Sequence, residues 1–276
     1  MIHSLFLLLS PPMSDLLNQF QSSSEEIRRA AITAASGSSD GEVVQALIRH
    51  LAEGSLSESE RQLAAESLGK CTLPEIAAIL LPMLAAESAL TRTMAAAGLG
   101  GQQSAAAITA LVSGLTDSVN TVRNWSERSL LGLISAVQQY GVESLIALLS
   151  HEVRLSRSPA ARVLGLTQDE RALSPLQLMA EKDSDWLARM AAIKALGDLG
   201  FPEALDLVTR ALQSDPKNRV RAAAAEALGK LRPHNAEQLL RAALDTDEDE
   251  GLQKSAGEAL RSLGFEVSAI NDDGWE

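Results

Sequence analysis

The chain has 276 residues, 46% of them hydrophobic but only 3% aromatic, and a formal charge of −12 with a sequence pI near 4.9. That charge argues against a surface shaped to neutralise phosphates or to dock on anionic lipid, because both rest on Lys and Arg. The single cysteine, Cys71, excludes an intrachain disulfide and a multi-cysteine metal site, and His3, His50, His151 and His234 show no metal-ligand spacing.

Taken in chain order, residues 1–12 form an apolar start too short to span a bilayer and without the basic region of a signal peptide. Met13 is the expected start and 1–12 an upstream extension, with an atypical cleaved leader as the alternative. From there an arginine followed by small residues recurs, at Arg28, Arg61, Arg92, Arg123, Arg157, Arg189 and Arg221, with Gln253 at the eighth position. The steps are 33, 31, 31, 34, 32, 32 and 32 residues, a period that marks stacked units over 13–265.

Each repeat is predicted to hold two helices. The first carries the arginine and ends at Gly69, Gly100, Gly197 or Gly229, where glycine suits the left-handed position that closes a helix. The second often opens near a proline, as at Pro74, Pro175, Pro202 and Pro233. It then shows apolar residues at helical spacing, such as Leu205, Val208 and Leu212. Ala, Leu, Ile and Val must build the core, and Ala lets helices approach closely. No alternating strand pattern occurs. The terminal repeats are worn, with Ala35 and Ser36 in place of Leu-Gly and Gln253 in place of arginine, as capping units require. An acidic tail, 266–276, follows the array. The acids at Asp245, Asp247, Glu248, Asp249 and Glu250 read as a solvated loop, or as a docking site for a basic partner. A single thiol fits a reducing, cytoplasmic setting.

The motif x-Arg-x-Ala-Ala-x-x-Ala-Leu-Gly, clearest in 188–197 and 220–229, resembles a HEAT repeat. More narrowly, 183–196 resembles the short, Ala-rich HEAT-like repeats of the E/F-type phycobilin lyases of cyanobacteria. The resemblance covers about 25–265 as architecture. It implies an all-α, right-handed, gently curved α-solenoid of about eight HEAT-like hairpins. It also implies a protein that binds a linear tetrapyrrole and a phycobiliprotein subunit, attaching the chromophore to a cysteine of the subunit, removing it, or assisting assembly. A second HEAT-repeat chain is an implied partner. Phycobilin would be ligand or substrate rather than a tightly held cofactor, with no nucleic acid and no integral membrane segment. The alternative is a non-catalytic HEAT-repeat scaffold that binds a protein partner on its concave face.

The middle of the array departs most from its own consensus. Trp125 stands where other repeats hold small or mid-sized residues. Repeat five gathers Arg154, Arg157 and Arg162, with Pro159 expected in the first turn of its helix. Arginine pairs with carboxylates in bidentate fashion, and an indole stacks on a conjugated face. The candidate binding residues are therefore Arg123, Trp125, Arg128, Arg154, Arg157, Asp185, Trp186 and Arg189, with His151 as a candidate for proton exchange. A plain reading competes. Arg123, Arg157 and Arg189 hold the repeat's standard arginine position, where an acid or carbonyl of an adjacent turn would bind them. Asp117, Asp185, Asp215 and Asp249 are the natural partners, and Trp186 would pack in the core or between repeats. The pattern Gly37-Ser38-Ser39-Asp40-Gly41 matches a nucleophile elbow but follows no strand, and Cys71 reads as a bystander thiol between helices.

Overall fold

The computed structural model describes residues 13–52, 56–71, 75–247 and 249–267. The expected extension 1–12, Pro74, Glu248 and tail residues 268–276 lie outside them. All regular structure among the described residues is helical, with 17 α-helices arranged as a helical-repeat solenoid. The chain divides into two compact units, Met1–Leu133 and Ile134–Glu276.

In the first unit the helices are α1 (Met13–Phe20), α2 (Glu25–Ala35), α3 (Gly41–Ala52), α4 (Glu58–Gly69), α5 (Glu75–Met83), α6 (Ala89–Gly98), α7 (Ala105–Gly114) and α8 (Asn120–Gly132). The arginine-bearing helices α2, α4, α6 and α8 pack side by side in chain order, and the intervening helices cover one side of that row. The second unit holds α9 (Ile134–Tyr140), α10 (Val142–Leu148), α11 (Arg154–Gly165), α12 (Leu173–Lys182), α13 (Trp186–Leu199), α14 (Leu205–Ser214), α15 (Asn218–Leu231), α16 (Ala236–Thr246) and α17 (Glu250–Ser262). Here α11, α13, α15 and α17 form the row, and α10, α12, α14 and α16 form the second layer. The second helix of repeat four is broken at Gly141 into α9 and α10.

The composition follows from this layering. A row helix meets a neighbour on each flank and the second layer on a third side, so only narrow side chains fit most of its circumference. On α13, Ala188, Ala191, Ala192 and Ala195 are buried together with Ile193 and Leu196, and on α15 Ala223, Ala224, Ala225 and Ala227 are buried with Leu228. Second-layer helices bury one stripe each, as Val208 and Leu212 do on α14.

The consensus glycines do something other than expected. Gly197 and Gly229 lie inside their helices, Gly69 is the last residue of α4 as expected, and Gly100 sits in a short 3-10 turn, Leu99–Gly101. None takes the left-handed conformation, which among the described residues belongs to Gly37, Gly200 and Gly264 and to the non-glycines Gln168 and Arg232. Their role is close approach between row helices. A Cβ on Gly197 would lie 2.8 Å from both Cα and Cβ of Ala227; on Gly165 it would lie 2.7 Å from the Ala195 Cα, and on Gly229 3.0 Å from the Ala259 Cβ. The helix runs on past the motif, and α13 closes at Gly200, φ 77°.

The prolines match the expectation only in part. Pro202 opens a 3-10 turn and Pro175 lies in the first turn of α12, but Pro233 sits in a turn ahead of α16. Pro159 falls in the second turn of α11, not the first, because that helix already starts at Arg154 with Val153 as its cap. No helix among the described residues is long and apolar enough to cross a membrane.

Candidate functional site

The recurrent arginine builds a ladder. Arg189 donates from Nη1 to the Asp183 carbonyl, six residues back, at 3.0 Å. Its Nε and Nη2 donate to the two carboxylate oxygens of Asp215, 26 residues on, at 2.9 and 3.0 Å. Arg221 repeats this with the Asp215 carbonyl and the Asp247 carboxylate. Arg92 does so with the Ala86 carbonyl and Asp117, while Arg157 reaches the His151 carbonyl and only one oxygen of Asp183, through Nη2, and leaves its buried Nε without a partner. Arg28 finds its acid, Glu60, in the first turn of α4 instead. Gln253 keeps the carbonyl half alone, donating to Asp247 O at 3.0 Å.

Each ladder aspartate also accepts the backbone N–H two residues on, as Asp117 does from Val119 and Asp183 from Asp185. One carboxylate thus shapes its own turn and holds the preceding repeat. Hydrogen bonds from Arg92 and from Arg221 hold Asp117 and Asp247 below the usual carboxylate range, and the Arg28 hydrogen bond brings Glu60 down to about 2.

The expected partners Asp185 and Asp249 are corrected by this geometry. They cap helices, Asp185 accepting the Leu187 N–H and Asp249 the Leu252 N–H, while the arginines take Asp183 and Asp247, two residues earlier. Arg157, Arg189 and Asp185 are thus bound within the framework. Arg123 is too, with its donors on the carbonyls of Asp117 and Ser118 and on Asn120 Oδ1. In repeat five, His151 stands at the ladder-aspartate position, and its Nδ1 accepts the Val153 N–H at 3.1 Å, imitating the aspartate turn. Arg154 is exposed. Trp186 is half-buried, with Lys217 and Arg219 of the following repeat each 5.5 Å from its ring, so it makes a contact between repeats at the surface rather than in the core.

The candidates divide between the units: Arg123, Trp125 and Arg128 in the first, the others in the second. Within the first unit, Trp125 lines a groove of about 380 Å³ across α4, α6 and α8, together with Arg61, Leu90, Thr93, Met94 and Thr121. The Arg128 guanidinium lies 4.8 Å from the Trp125 ring centre and reaches Glu66 at 3.3 Å. Sequence reasoning missed Arg61. The signal was Ala86, which stands six residues before Arg92, where Asp117, Asp183, Asp215 and Asp247 stand before theirs. In the second unit, a larger groove of about 570 Å³ opens between α10 and α12, lined by Ile146, Leu149, Pro175, Leu178 and Met179, with Arg157, Asp183 and Lys182 at its polar edge.

Cys71 is fully buried, its Sγ 3.3 Å from the Ser67 carbonyl oxygen, and burial pushes the thiol up. Among the described residues no three His, Cys, Asp or Glu side chains group closely enough to hold a metal ion.

Comparison with known proteins bears on the framework. Among solved structures, the chain is similar to one of Kap95p with RanGDP, at 13% identity and a TM-score of 0.58, covering 91% of this chain and 39% of that one. It is similar to YibA of Escherichia coli at 18% identity and a TM-score of 0.50, covering 91% and 92% of the two chains. A structure of human deoxyhypusine hydroxylase with glycerol matches at 20% identity over 91% of this chain and 95% of that one, with a TM-score of 0.39. At these identities the first two show the fold alone. No curated protein sequence matches the chain significantly. The family profile described as HEAT repeats matches residues 51–131 and 177–261, together more than half of the length. With a match in each of its two units, the chain belongs to the HEAT-repeat family.

Proposed function

We propose that this HEAT-repeat protein is a scaffold that binds a protein partner, and that the α10–α12 groove of the second unit is its main contact. The observation that carries this is the groove's composition. Leu178 is 62% exposed on the second-layer face and stands beside Ile146, Pro175 and Met179. An open apolar trough with a charged edge suits an amphipathic segment of another chain. The test is a photo-crosslinking residue at position 178, with one at the exposed polar Gln213 of α14 as control. A partner crosslinked at 178 but not at 213, and whose binding as a purified protein is weakened at least tenfold by Leu178→Asp, supports the reading. Equal labelling at both positions, or unchanged affinity in Leu178→Asp, sinks it.

A second reading, handling of a linear tetrapyrrole by a phycobilin lyase-like or assembly factor, is favoured by one observation. Trp125 presents an indole fixed by Arg128 to a groove that also holds Arg61. Catalysis would then consist mostly of positioning the pigment against the acceptor thiol of a phycobiliprotein subunit. Titration of the protein with phycocyanobilin and phycoerythrobilin should give a saturable absorption change that Trp125→Ala reduces. No change, alone or with the apo-subunit present, removes this reading.

A further inference from the structure

We infer that the Arg61 groove is a docking site for an acidic side chain of a partner protein, followed in its sequence by a large apolar one. The inference rests on the scaffold reading and places a second contact on the first unit. The ladder states what is missing. Arg28, Arg92, Arg157, Arg189 and Arg221 are each closed by a carboxylate from the following repeat. For Arg61 the corresponding turn precedes α6. That turn is built in the usual way, with the Ala86 carbonyl accepting from Arg92 Nη1 at 2.9 Å, but residue 86 brings no carboxylate. Among the described residues Arg61 makes no ion pair, and it faces the groove of about 380 Å³ instead.

The rest of the groove defines the ligand's other part. Leu90 and Met94 form an apolar wall, and Trp125 forms another, held by Arg128, which Glu66 neutralises. The Thr93 and Thr121 hydroxyls lie 3.1 Å apart beside them. A guanidinium that makes no ion pair among the described residues favours a carboxylate over an amide, because its donors then make charge-assisted paired bonds. The indole and the two apolar side chains favour an aromatic or branched neighbour. The volume holds about two side chains and not a folded element.

The probe is a capped peptide with one glutamate followed by leucine and phenylalanine, compared with the same peptide carrying glutamine. Binding is read from the indole N–H resonance of Trp125 in the full chain. The expected result is a saturable shift with the acidic peptide, at least tenfold weaker with the glutamine peptide and with Arg61→Gln. Ala86→Asp is the decisive variant. It supplies the ladder carboxylate from within the chain, so it should abolish peptide binding while the circular dichroism spectrum stays unchanged. Equal affinity for both peptides, or full binding by a folded Ala86→Asp protein, overturns the inference. So does an equal shift with acetate at the same concentration, which marks a general anion site. Loss of crosslinking at position 178 with this binding intact would refute the α10–α12 contact alone, and the converse would refute this site alone.

Discussion

Gly197→Ala tests whether the consensus glycine serves helix approach or helix termination. In an ordinary helix interior the change would stabilise by about 1 kcal/mol, because alanine loses less backbone entropy. Here the new Cβ would meet the Cα and Cβ of Ala227 at 2.8 Å, backbone-anchored atoms that no rotamer change can withdraw. Ordinary contact begins about 0.6 Å further out, so α13 and α15 must part along their packed length. Overpacking of this kind costs about 1–3 kcal/mol. The net expectation is a loss of about 1 kcal/mol, or a fall in Tm of about 2–4 °C. Gly132→Ala is the matched control. It lies at the exposed end of α8 with nothing within 4 Å of its Cβ position, so the same chemical change should gain about 0.5–1 kcal/mol. Urea and thermal unfolding of both variants, followed by circular dichroism, give the difference directly. A Gly197→Ala protein as stable as Gly132→Ala would refute the packing argument.

Other outcomes follow from the same framework. Glu60, at about 2 instead of the ordinary 4.5, contributes stability that is complete above pH 4.5 and is lost as pH falls through its folded value. The shift corresponds to about 3 kcal/mol, so Glu60→Gln should trail the parent by that amount at pH 7 and by only about 1 kcal/mol at pH 3. A gap independent of pH in urea titrations would contradict this. Arg221→Met strands Asp247 and the Asp215 carbonyl and should cost about 1–3 kcal/mol, with most of the Asp247→Asn effect absent in the double variant. Gly200→Ala forces an L side chain to φ 77° and should cost about 1 kcal/mol by thermal unfolding. The Cys71 thiol should react with an aromatic disulfide reagent only at the rate of local unfolding, so fast labelling in native buffer would contradict its burial.

Much of the fold was legible because a repeat is a one-dimensional signal. Aligning on the arginine placed every row helix, and the loss of that residue at Gln253 set the eighth repeat apart. What stayed hidden was three-dimensional. Asp183 and Asp185 both precede α13, and only the backbone path decides which one caps the helix and which one receives Arg157. Gly197 reads equally as a helix end or as a contact point until the helix is seen to continue to Gly200. The candidate site was read from residue type alone. Four of its members, Arg123, Arg157, Arg189 and Asp185, are hydrogen-bonded into the framework, with the buried Arg157 Nε left without a partner among the described residues. Trp125 was found because its bulk breaks the pattern. Arg61 was overlooked because what sets it apart is an alanine 25 residues later, a difference that only the ladder makes meaningful.

The uniform joint between repeats five and eight has a consequence for how such a chain can grow. A 32-residue cassette, 186–217, carries both the plug, Arg189, and the socket, Asp215. Copied in tandem, it would present Ala195 to the Gly197 of the copy before it, the same Gly-to-Ala fit already seen between Gly165 and Ala195. Every other joint would keep its spacing. Lengthening by duplication therefore demands no compensating substitution, and a copy with glutamine at the plug position, like the Gln253 repeat, needs no carboxylate socket in a repeat beyond it.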